Sequence, residues 1–456
     1  MNCTTGISRR GFLGVAAALP LTASPTWEAA AKQAQRTTDA RGAPLQTAQR
    51  HALSRSDDAF LEDLSRRAFQ FFWEQGDPNT GLVLDRVRAD GTRIPGRNLE
   101  AASTAVTGFY LTALCIGCER RWLNPNDILQ RVRACLRHLA NDQEHVFGWY
   151  YHFVDRKSGA RIWNCELSSI DTALLLAGVI TAQQYFKDDA EIYNLASDIF
   201  GRVDFPWLTD PQTGLIRMGW FPDRGYIRAE WVDLNENSIL NMLAICSPTY
   251  PLSARSWYLF ERPPIELAGY HFVGHGPLFT HQYSQSWLQL SGLRDGPPFE
   301  IDYFQNSRTA TYAFRAFWLS LRGMYPDFSE KMWGLSPSDS DIGYIIWGSP
   351  ISRSDVDGTV VPYAAGGSLM FAPEICLPPL RYMHDTFGSR IYGRYGFVDS
   401  FNPITGWANP DVVGIDVGIT LMSAENLRSG NIWRWFNRSP DVQRGMQQIF
   451  QPWPSV

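Results

Sequence analysis

Three segments of the chain place carboxylates and a tryptophan directly before an apolar run. They are Trp163, Glu166 and Asp171 before residues 173–180; Trp231, Asp233 and Glu236 before residues 239–245; and Trp407, Asp411 and Asp416 before residues 417–422. An ionised carboxylate is costly to bury unless it is paired or has a function. The pattern therefore predicts acids at the mouths of buried helices, where aromatic rings could hold a sugar and carboxyl groups could cleave a glycosidic bond.

Helix capping is the alternative explanation for two of these acids. With Ser168 as the N-cap, Asp171 would occupy the third helical position and complete a capping box. Glu236 would do the same with Asp233 as the N-cap. The asparagines at positions 235 and 237 add polar groups that a cap does not need, which favours a functional role for Glu236.

Glu166 and Asp416 fit the capping explanation less well. Glu166 comes before its predicted helix and is flanked by Trp163 and Cys165. Asp416 lies in the segment 414–418, whose glycines would let a substrate approach closely, and a plain N-cap is its alternative role.

Helical periodicity dominates the chain. Apolar residues at helical spacing, with capping residues in front, predict helices over residues 58–74, 102–119, 125–140, 168–186, 189–203, 236–246, 281–291, 301–322, 367–385, 417–428 and 440–450. Short strand-like pieces, such as residues 148–154, lie between them.

A turn signature recurs between the predicted helices. It begins with Asp or Asn and ends with Thr-Gly or a near equivalent, at residues 77–82, 210–215 and 402–407, with a looser copy at residues 155–159. Pro presets the turn and Gly accepts a positive φ, so each copy predicts a tight hairpin. Paired helices joined by such loops indicate an all-α fold, namely an (α/α)6 barrel with short β-hairpin loops at the cleft.

The amino terminus has the pattern of a twin-arginine export signal. Arg9 and Arg10 precede the apolar run 15–21, which is too short to span a bilayer. We therefore expect a signal peptide over residues 1–31, a flexible leader over 32–56, and one catalytic domain over 57–456 that works in the periplasm or outside the cell.

Charge and cysteine content exclude several classes of protein. A net charge of −5 gives no reason to expect a nucleic-acid partner, and after removal of the signal we expect no membrane partner. The seven cysteines are scattered through apolar segments, which favours small core residues over a disulfide framework. Cys115 and Cys118 form a C-x-x-C pair in mid-helix, without the second pair that a metal site would need.

Three histidines could suggest a metal site by their spacing. His271, His275 and His281 are four to six positions apart, but glycines and a proline between them break the helix that such a pair would need. We therefore expect no metal and no cofactor, and we interpret His281 as a residue that hydrogen-bonds substrate hydroxyls.

Several blocks of the sequence together resemble one bacterial family. The blocks are residues 163–175, 276–284, 302–307, 333–335, 362–365, 371–374 and 394–399. They resemble the glycoamylase-like family, whose members include the endo-β-1,2-glucanases of glycoside hydrolase family 144 and relatives in families 162 and 189. The resemblance extends from about residue 69 to about residue 436.

This resemblance implies an (α/α)6 barrel, no cofactor, and cleavage of β-1,2-linked glucan. It implies that Glu236 is the general acid, that Asp416 is a candidate general base, and that Glu166 lines the cleft. Because the family 189 relatives are retaining transglycosylases, the resemblance implies a glycoside substrate more firmly than it implies the linkage or hydrolysis.

The function expected from the sequence is that of a monomeric glycoside hydrolase acting on β-1,2-glucan, endo-acting and inverting. A transglycosylase, a hydrolase of another bacterial β-glucan, and a catalytically silent glycan-binding protein of the same fold are the alternatives. The chain has 17 tryptophans, many beside loop-forming residues, where rings often stack on ligands. The residues predicted to bind substrate are Trp149, Tyr150, Trp163, Asp171, Trp231, His281, Gln282, Asn306, Arg394 and Trp407.

Overall fold

The computed structural model describes residues 53–96, 100–348, 351 and 356–452, and the described chain is rich in helices. The predicted signal peptide and almost all of the predicted leader lie outside these residues. The helices are α1 (Arg55–Gln75), α2 (Thr104–Glu119), α3 (Pro125–Asn141), α4 (Ser169–Tyr185), α5 (Ala190–Gly201), α6 (Phe205–Leu208), α7 (Ser238–Cys246), α8 (Tyr283–Trp287), α9 (Tyr303–Ser320), α10 (Pro362–Gly366), α11 (Pro373–Phe387), α12 (Gly414–Arg428), α13 (Asn431–Phe436) and α14 (Pro440–Ile449). Short 3-10 helices cover Ala254–Tyr258, Leu278–His281 and Gly388–Arg390.

The strands are all short and lie between the helices. They are β1 (Arg86–Arg88), β2 (Ala101–Ser103), β3 (His145–Val146), β4 (Trp149–Tyr150), β5 (Phe153–Asp155), β6 (Leu167–Ser168), β7 (Gly219–Phe221), β8 (Gly225–Tyr226), β9 (Pro264–Leu267), β10 (Tyr270–Val273), β11 (Leu293–Asp295), β12 (Ser338–Ser340), β13 (Gly343–Ile345), β14 (Tyr392–Gly393), β15 (Gly396–Phe397), β16 (Phe401–Asn402), β17 (Trp407–Ala408), β18 (Asp411–Val413) and β19 (Phe450–Pro452). The strand-like piece 148–154 is therefore two strands, β4 and β5.

Helices α2, α4, α7 and α12 are buried along nearly their whole length. Their sequences are apolar on every face, so each must be surrounded by other elements. By contrast, α3 buries a single stripe of residues and presents its other face to solvent. The prediction of buried helices in these three places is thus confirmed; Glu166 and Glu236 precede α4 and α7, whereas Asp171 and Asp416 lie in the first turns of α4 and α12.

The buried helices approach one another closely where glycines face each other. A Cβ on Gly178 of α4 would lie 2.1 Å from the carbonyl oxygen of Gly108 in α2. A Cβ on Gly418 of α12 would lie 2.6 Å from the ring of Phe109 in α2. Helix α2 therefore packs directly against both α4 and α12.

A ladder of short antiparallel strands joins the starts of three buried helices. Strand β18 pairs with β1, and β2 pairs with β5. Strand β6 pairs with β7, which pairs with β8. The bridges Leu84–Ala102 and Tyr151–Leu167 connect these pairs. Because β2, β6 and β18 end where α2, α4 and α12 begin, the amino-terminal ends of these helices lie along one ladder.

The segments before α2, α4 and α12 are longer than those after them. Residues 76–103, 142–168 and 388–413 lead into these helices, whereas residues 120–124, 186–189 and 429–430 follow them. Long loops gathered at one end of a helical scaffold are where binding and catalytic residues concentrate.

The predicted turn signature is confirmed at all four places. Gly81, Gly159, Gly214 and Gly406 have φ angles of 69°, 70°, 73° and 80°. Each glycine N–H donates to the backbone carbonyl of the Asp or Asn that opens its turn. The side-chain oxygen of that first residue accepts two further backbone N–H groups.

Two helix predictions are wrong in extent. The segment 281–291 contains a 3-10 turn and the short α8 instead of one long helix. Helix α11 begins at Pro373, not at residue 367, because Ala372 adopts a non-helical backbone before the proline. Helix α1 starts at Arg55, two residues before the expected start of the folded region.

No helix in the described ranges combines the length and apolarity that crossing a membrane requires. The six cysteines within those ranges are free, and five of them are buried, which confirms their interpretation as core residues.

Candidate active site

Glu236 lies immediately before α7, not inside it. The helix begins at Ser238 with Asn237 as its N-cap. The side chain of Asn235 accepts the backbone N–H of Glu236 at 2.8 Å. The capping-box explanation, with Asp233 as the N-cap, is therefore wrong. Glu236 is fully buried, with 0% of its surface exposed.

Helix α8 fixes the backbone at Glu236. The hydroxyl of Ser284 donates to the carbonyl oxygen of Glu236 at 2.7 Å and accepts the N–H of Ile239 at 3.0 Å. One serine thus holds the residue before α7 and the first turn of α7 together.

A small cavity lies beside the residues that flank Glu236. It is lined by Leu234, Asn235, Ser238, Thr280, His281, Ser284, Gln285, Leu290, Tyr303, Asn306 and Ser307. Burial lowers the pKa of His281 to about 4, so its imidazole is neutral near neutral pH. Its Nδ1 lies 3.5 Å from the hydroxyl of Ser307. His281 is therefore a buried, neutral residue of this cavity, and its contact with substrate stays a prediction.

Asp416 is the third residue of α12, whose N-cap is Val413. A plain N-cap role for Asp416 is therefore wrong. Only 4% of its surface is exposed. Because the amino-terminal end of a helix carries partial positive charge, this position favours an ionised carboxylate.

A second buried carboxylate shares the pocket of Asp416. The pocket is lined by Leu64, Ala68, Tyr363, Tyr395, Phe397, Val398, Asp399, Val413, Asp416, Val417 and Thr420. Asp399 accepts hydrogen bonds from the backbone N–H of Asp339 at 2.9 Å and the side chain of Asn409 at 3.0 Å. No role for Asp399 was predicted from the sequence, because its burial depends on contacts with other segments of the chain.

Glu166 and Asp171 meet through His152. The Nδ1 of His152 lies 2.8 Å from Oε1 of Glu166, and its Nε2 lies 3.6 Å from Oδ2 of Asp171. The hydroxyl of Ser168 donates to the carboxylate of Asp171 at 2.5 Å and accepts its backbone N–H at 3.3 Å. Asp171 is thus at the third helical position with Ser168 as N-cap, as predicted, and it also faces the imidazole. His152 is a site residue that the sequence reasoning missed.

Contacts through α2 and α8 connect the starts of α7 and α12. Tyr283, next to the serine that holds Glu236, packs edge-on against Phe109 of α2 with ring centroids 5.8 Å apart. Phe109 also faces Gly418, two residues after Asp416. The indole N–H of Trp231 donates to Ser169, the first residue of α4, at 2.9 Å. The starts of α4, α7 and α12 are therefore linked through contacts of Trp231, Tyr283 and Phe109.

The predicted aromatic platforms differ in their access to solvent. Trp163 is 47% exposed and packs edge-on against Phe153, which stacks on His152. Trp407 is half-buried on β17. Trp231 is almost fully buried beside α4. Among these rings, Trp163 offers the most open face next to an acid of the site.

The prediction that Trp149 and Tyr150 stack on substrate is wrong. Both rings are fully buried. The indole of Trp149 donates to the carbonyl of Asp204 at 2.9 Å, and the hydroxyl of Tyr150 donates to the carbonyl of Leu139 at 3.0 Å. These residues hold the β3–β4 hairpin to its neighbours.

Three polar residues that were predicted to bind substrate hydroxyls form hydrogen bonds or ion pairs within the protein. The amide of Gln282 donates to Ala364 and Ser368, and the amide of Asn306 donates to and accepts from the backbone of Val273. Arg394 forms a two-point ion pair with Glu74 at 2.7 and 2.8 Å. The donors expected to orient substrate hydroxyls are therefore engaged within the protein.

One of the three histidines that suggested a metal site lies beside a carboxylate. His275 faces Asp233, with 3.4 Å between Nδ1 and Oδ2. Within the described part of the chain, no three His, Cys, Asp or Glu side chains are grouped as metal ligands.

Comparisons with known proteins show similarity to enzymes that act on β-1,2-linked glucan. Residues 228–440 match the model of the Glycoamylase family, described as "Putative glucoamylase". An exo-β-1,2-glucooligosaccharide sophorohydrolase (non-reducing end) from Parabacteroides distasonis is 26% identical over 430 residues, which is 86% of this chain. The chain spans 58% of the length of that relative.

Crystal structures of two bacterial proteins share the fold. A protein from Bacteroides caccae, described in the same words as the family, is 27% identical with a TM-score of 0.81, covering 87% of this chain and 100% of its own. The endo-β-1,2-glucanase of Chitinophaga pinensis, with sophorotriose and glucose bound, is 25% identical with a TM-score of 0.80, covering 88% and 99%. The resemblance drawn from the sequence blocks is therefore confirmed, since residues 228–440 match the family model and both bacterial structures share the fold.

Proposed function

We propose that this protein is a glycoside hydrolase that cleaves β-1,2-linked glucan with inversion at the anomeric carbon. The observation that carries the proposal is the pair of buried carboxyl groups at the starts of α7 and α12, Glu236 and Asp416. Buried acids in an aromatic-rich region suit glycoside cleavage, which needs one carboxyl group to donate a proton and another to accept one.

The two carboxyl groups have different environments, which supports different roles. Removal from water disfavours an ionised carboxyl, and this suits Glu236 to protonate the departing glucosyl oxygen. The first turn of α12 favours an ionised group, and this suits Asp416 to activate water from the opposite face of the sugar. In an inverting enzyme the two carboxyls stand about 6.5 to 9.5 Å apart, with water between them.

We infer further that the buried helices form the inner ring of an (α/α)6 barrel whose amino-terminal ends face the cleft. Trp163 and His281 then contact the sugar, and the group of His152, Glu166 and Asp171 forms part of the wall. Residues 57–456 would constitute one catalytic domain, acting as a monomer without a cofactor.

Chain cleavage within the polymer is the first candidate mode, and release of a disaccharide from the non-reducing end is the second. The second has support because the Parabacteroides relative carries that activity in its name. Loops around the cleft decide between the two modes.

Incubation with linear β-1,2-glucan, cyclic β-1,2-glucan and laminarin tests the proposal. Endo cleavage opens the cyclic glucan and releases new reducing ends from both β-1,2 substrates. Exo cleavage releases a disaccharide from the linear chain and leaves the ring intact. Rearranged chain lengths without new ends would identify a transglycosylase, and binding without products would identify a silent glycan-binding protein. Cleavage of laminarin alone would contradict the β-1,2 assignment.

Proton NMR of the first products reports whether the anomeric configuration inverts.

A further inference from the structure

Four neighbouring aromatic rings lie near the surface, away from the buried acids. We call Phe147, Trp207, Trp220 and Tyr226 the aromatic platform. Trp207 is central, with ring centroids 5.0 Å from Phe147, 5.6 Å from Trp220 and 5.4 Å from Tyr226. Phe147 is 54% exposed and Tyr226 is 40% exposed, while both tryptophans are partly accessible. A contiguous exposed aromatic surface of this kind marks an interaction site.

The chain holds these rings in fixed positions. Trp220 and Tyr226 are directly opposite each other across β7 and β8. Asp204 caps the short helix that carries Trp207, accepting its N–H at 2.9 Å, and donates its own N–H to the carbonyl of Phe147 at 2.9 Å. Phe147 has a positive φ of 51°, which is unfavourable for a bulky residue. The platform is therefore preorganised, and little side-chain entropy would be lost on binding.

Polar groups flank the rings in a way that suits a sugar chain. The guanidinium of Arg217 lies over the ring of Tyr226 at 4.5 Å and pairs with Asp210 at 2.5 Å. Aromatic faces can cover the C–H face of a glucosyl ring while guanidinium and carboxylate groups reach its hydroxyls. The mixed charges favour a neutral polyhydroxylated ligand over an anionic one.

The platform and Glu166 lie on opposite faces of the sheet formed by β6, β7 and β8. Trp220 lies opposite Leu167 in the pairing of β6 with β7, and Leu167 follows Glu166. A Cβ on Gly219, next to Trp220, would lie 3.2 Å from Cγ of Glu166. Both loops that carry the platform, residues 142–168 and 202–237, lead into the buried helices. Because successive strand residues point to opposite faces, Trp220 points away from the face that carries Glu166, and the rings form a surface separate from the buried acids.

We propose that the aromatic platform is a second binding surface for β-glucan, which holds glucosyl units outside the region of cleavage. This inference rests on the proposed function for the identity of the sugar. It explains why large aromatic rings remain accessible on two loops that lead directly into the site.

Affinity electrophoresis in gels that contain linear β-1,2-glucan tests the proposal. Tyr226→Ala and Trp207→Ala are expected to weaken retention, with Kd rising about 2-fold to 10-fold, since an aromatic contact of this kind contributes about 0.5 to 1.5 kcal/mol. Tyr226→Phe keeps the ring and should retain the affinity of the wild type. Tyr250→Ala, which removes a comparably exposed ring elsewhere, is the matched control.

Kinetics with substrates of two lengths provide an independent measurement. In Tyr226→Ala the ratio of kcat/KM for the polymer to kcat/KM for a trisaccharide should fall, because the KM for the polymer rises.

Unchanged retention in both alanine variants, with thermal melts like those of the wild type, would overturn the proposal. A change in molecular mass on sedimentation in Tyr226→Ala would also overturn it, because the rings would then contact a second copy of the chain. Failure of the wild type to cleave either substrate, with retention lost only in the platform variants, would reject the hydrolase function and leave the binding surface in place.

Discussion

The residues Glu236 and Asp416 differ in how the chain holds them. Glu236 precedes its helix and is fixed through its backbone by Asn235 and Ser284. Asp416 belongs to its helix and benefits from the helix dipole. Neither position is that of an N-cap, so N-capping does not account for either acid.

Removal of either carboxyl group is expected to abolish turnover without unfolding the protein. Glu236→Gln and Asp416→Asn should each lower kcat by about 10² to 10⁴, because each removes one proton transfer. Initial rates on linear β-1,2-glucan and thermal melts are measured on the same preparations. A destabilised but active Glu236→Gln would exclude this residue as the acid and make Glu166 the next candidate.

Asp189 provides the control for these two substitutions. It caps α5 by accepting the N–H of Ile192 at 3.1 Å, pairs with Arg133 at 2.5 Å, and lies beyond the carboxyl-terminal end of α4, whereas Asp171 lies in the first turn of that helix. Asp189→Ala should cost about 1 kcal/mol of stability and leave kcat almost unchanged, since loss of an N-cap has that effect.

His281 is expected to make the protein less stable in acid. Burial lowers its pKa to about 4 from 6.5, so between these values the unfolded chain binds a proton that the folded chain does not. The free energy of unfolding should therefore be highest above pH 6.5 and should fall by up to about 3 kcal/mol as the pH decreases towards 4.

Urea unfolding at pH 7 and pH 4.5 measures this difference in the free energy of unfolding. In His281→Gln the difference should shrink, whereas His384→Gln, at the surface, should behave like the wild type. An equal pH dependence in all three proteins would exclude His281 as its source.

At the scale of elements, the four turns show that local chemistry was sufficient for prediction. Each turn is closed by its own Asp or Asn and its own glycine, so the sequence window contains every group that forms it. The tight packing behind Gly81, by contrast, involves a residue of another helix and could not be predicted from the turn itself. A Cβ there would lie 2.2 Å from Cβ of Cys135, which belongs to α3.

Two glycine substitutions separate backbone strain from this packing. Gly225 has a similar φ of 76°, but a Cβ would meet nothing within 4 Å. Gly225→Ala should therefore cost about 1 to 2 kcal/mol for the left-handed backbone alone. Gly81→Ala should cost clearly more, because Cys135 or the backbone of α3 must also move. Equal losses in urea unfolding would mean that the turn relaxes away from α3.

Prediction from the sequence failed where partners lie far along the chain. Trp149 and Trp207 both follow loop-forming residues, yet Trp149 is enclosed by the segment around Asp204 while Trp207 stays accessible. His152 joins Glu166 and Asp171 only because β4, β5 and β6 bring them together. Buried helices are easier to predict, because a helix with apolar residues on every face must be surrounded by other elements. Burial of a single ring, by contrast, depends on which loop folds over it.

At the scale of the whole molecule, the large buried core favours a route of export that carries folded proteins. The folded region closes around several buried helices, and its described cysteines are free. Such a protein suits a route that carries folded chains and needs no oxidative step on the far side of the membrane. We therefore propose that the pattern at Arg9 and Arg10, which lies outside the described residues, directs twin-arginine export.

The double substitution Arg9→Lys and Arg10→Lys is expected to block export in a Gram-negative host. The receptor of this route recognises the arginine pair, so lysines would leave the protein folded in the cytoplasm with its amino terminus intact. In the wild type, mass spectrometry of the periplasmic fraction should detect a chain that lacks about the first 25 to 31 residues. Arg41→Lys, in the predicted leader, is the matched control and should be exported normally. An intact Met1 species in the periplasm, or equal export of the double variant, would show that residues 1–31 do not act as this signal.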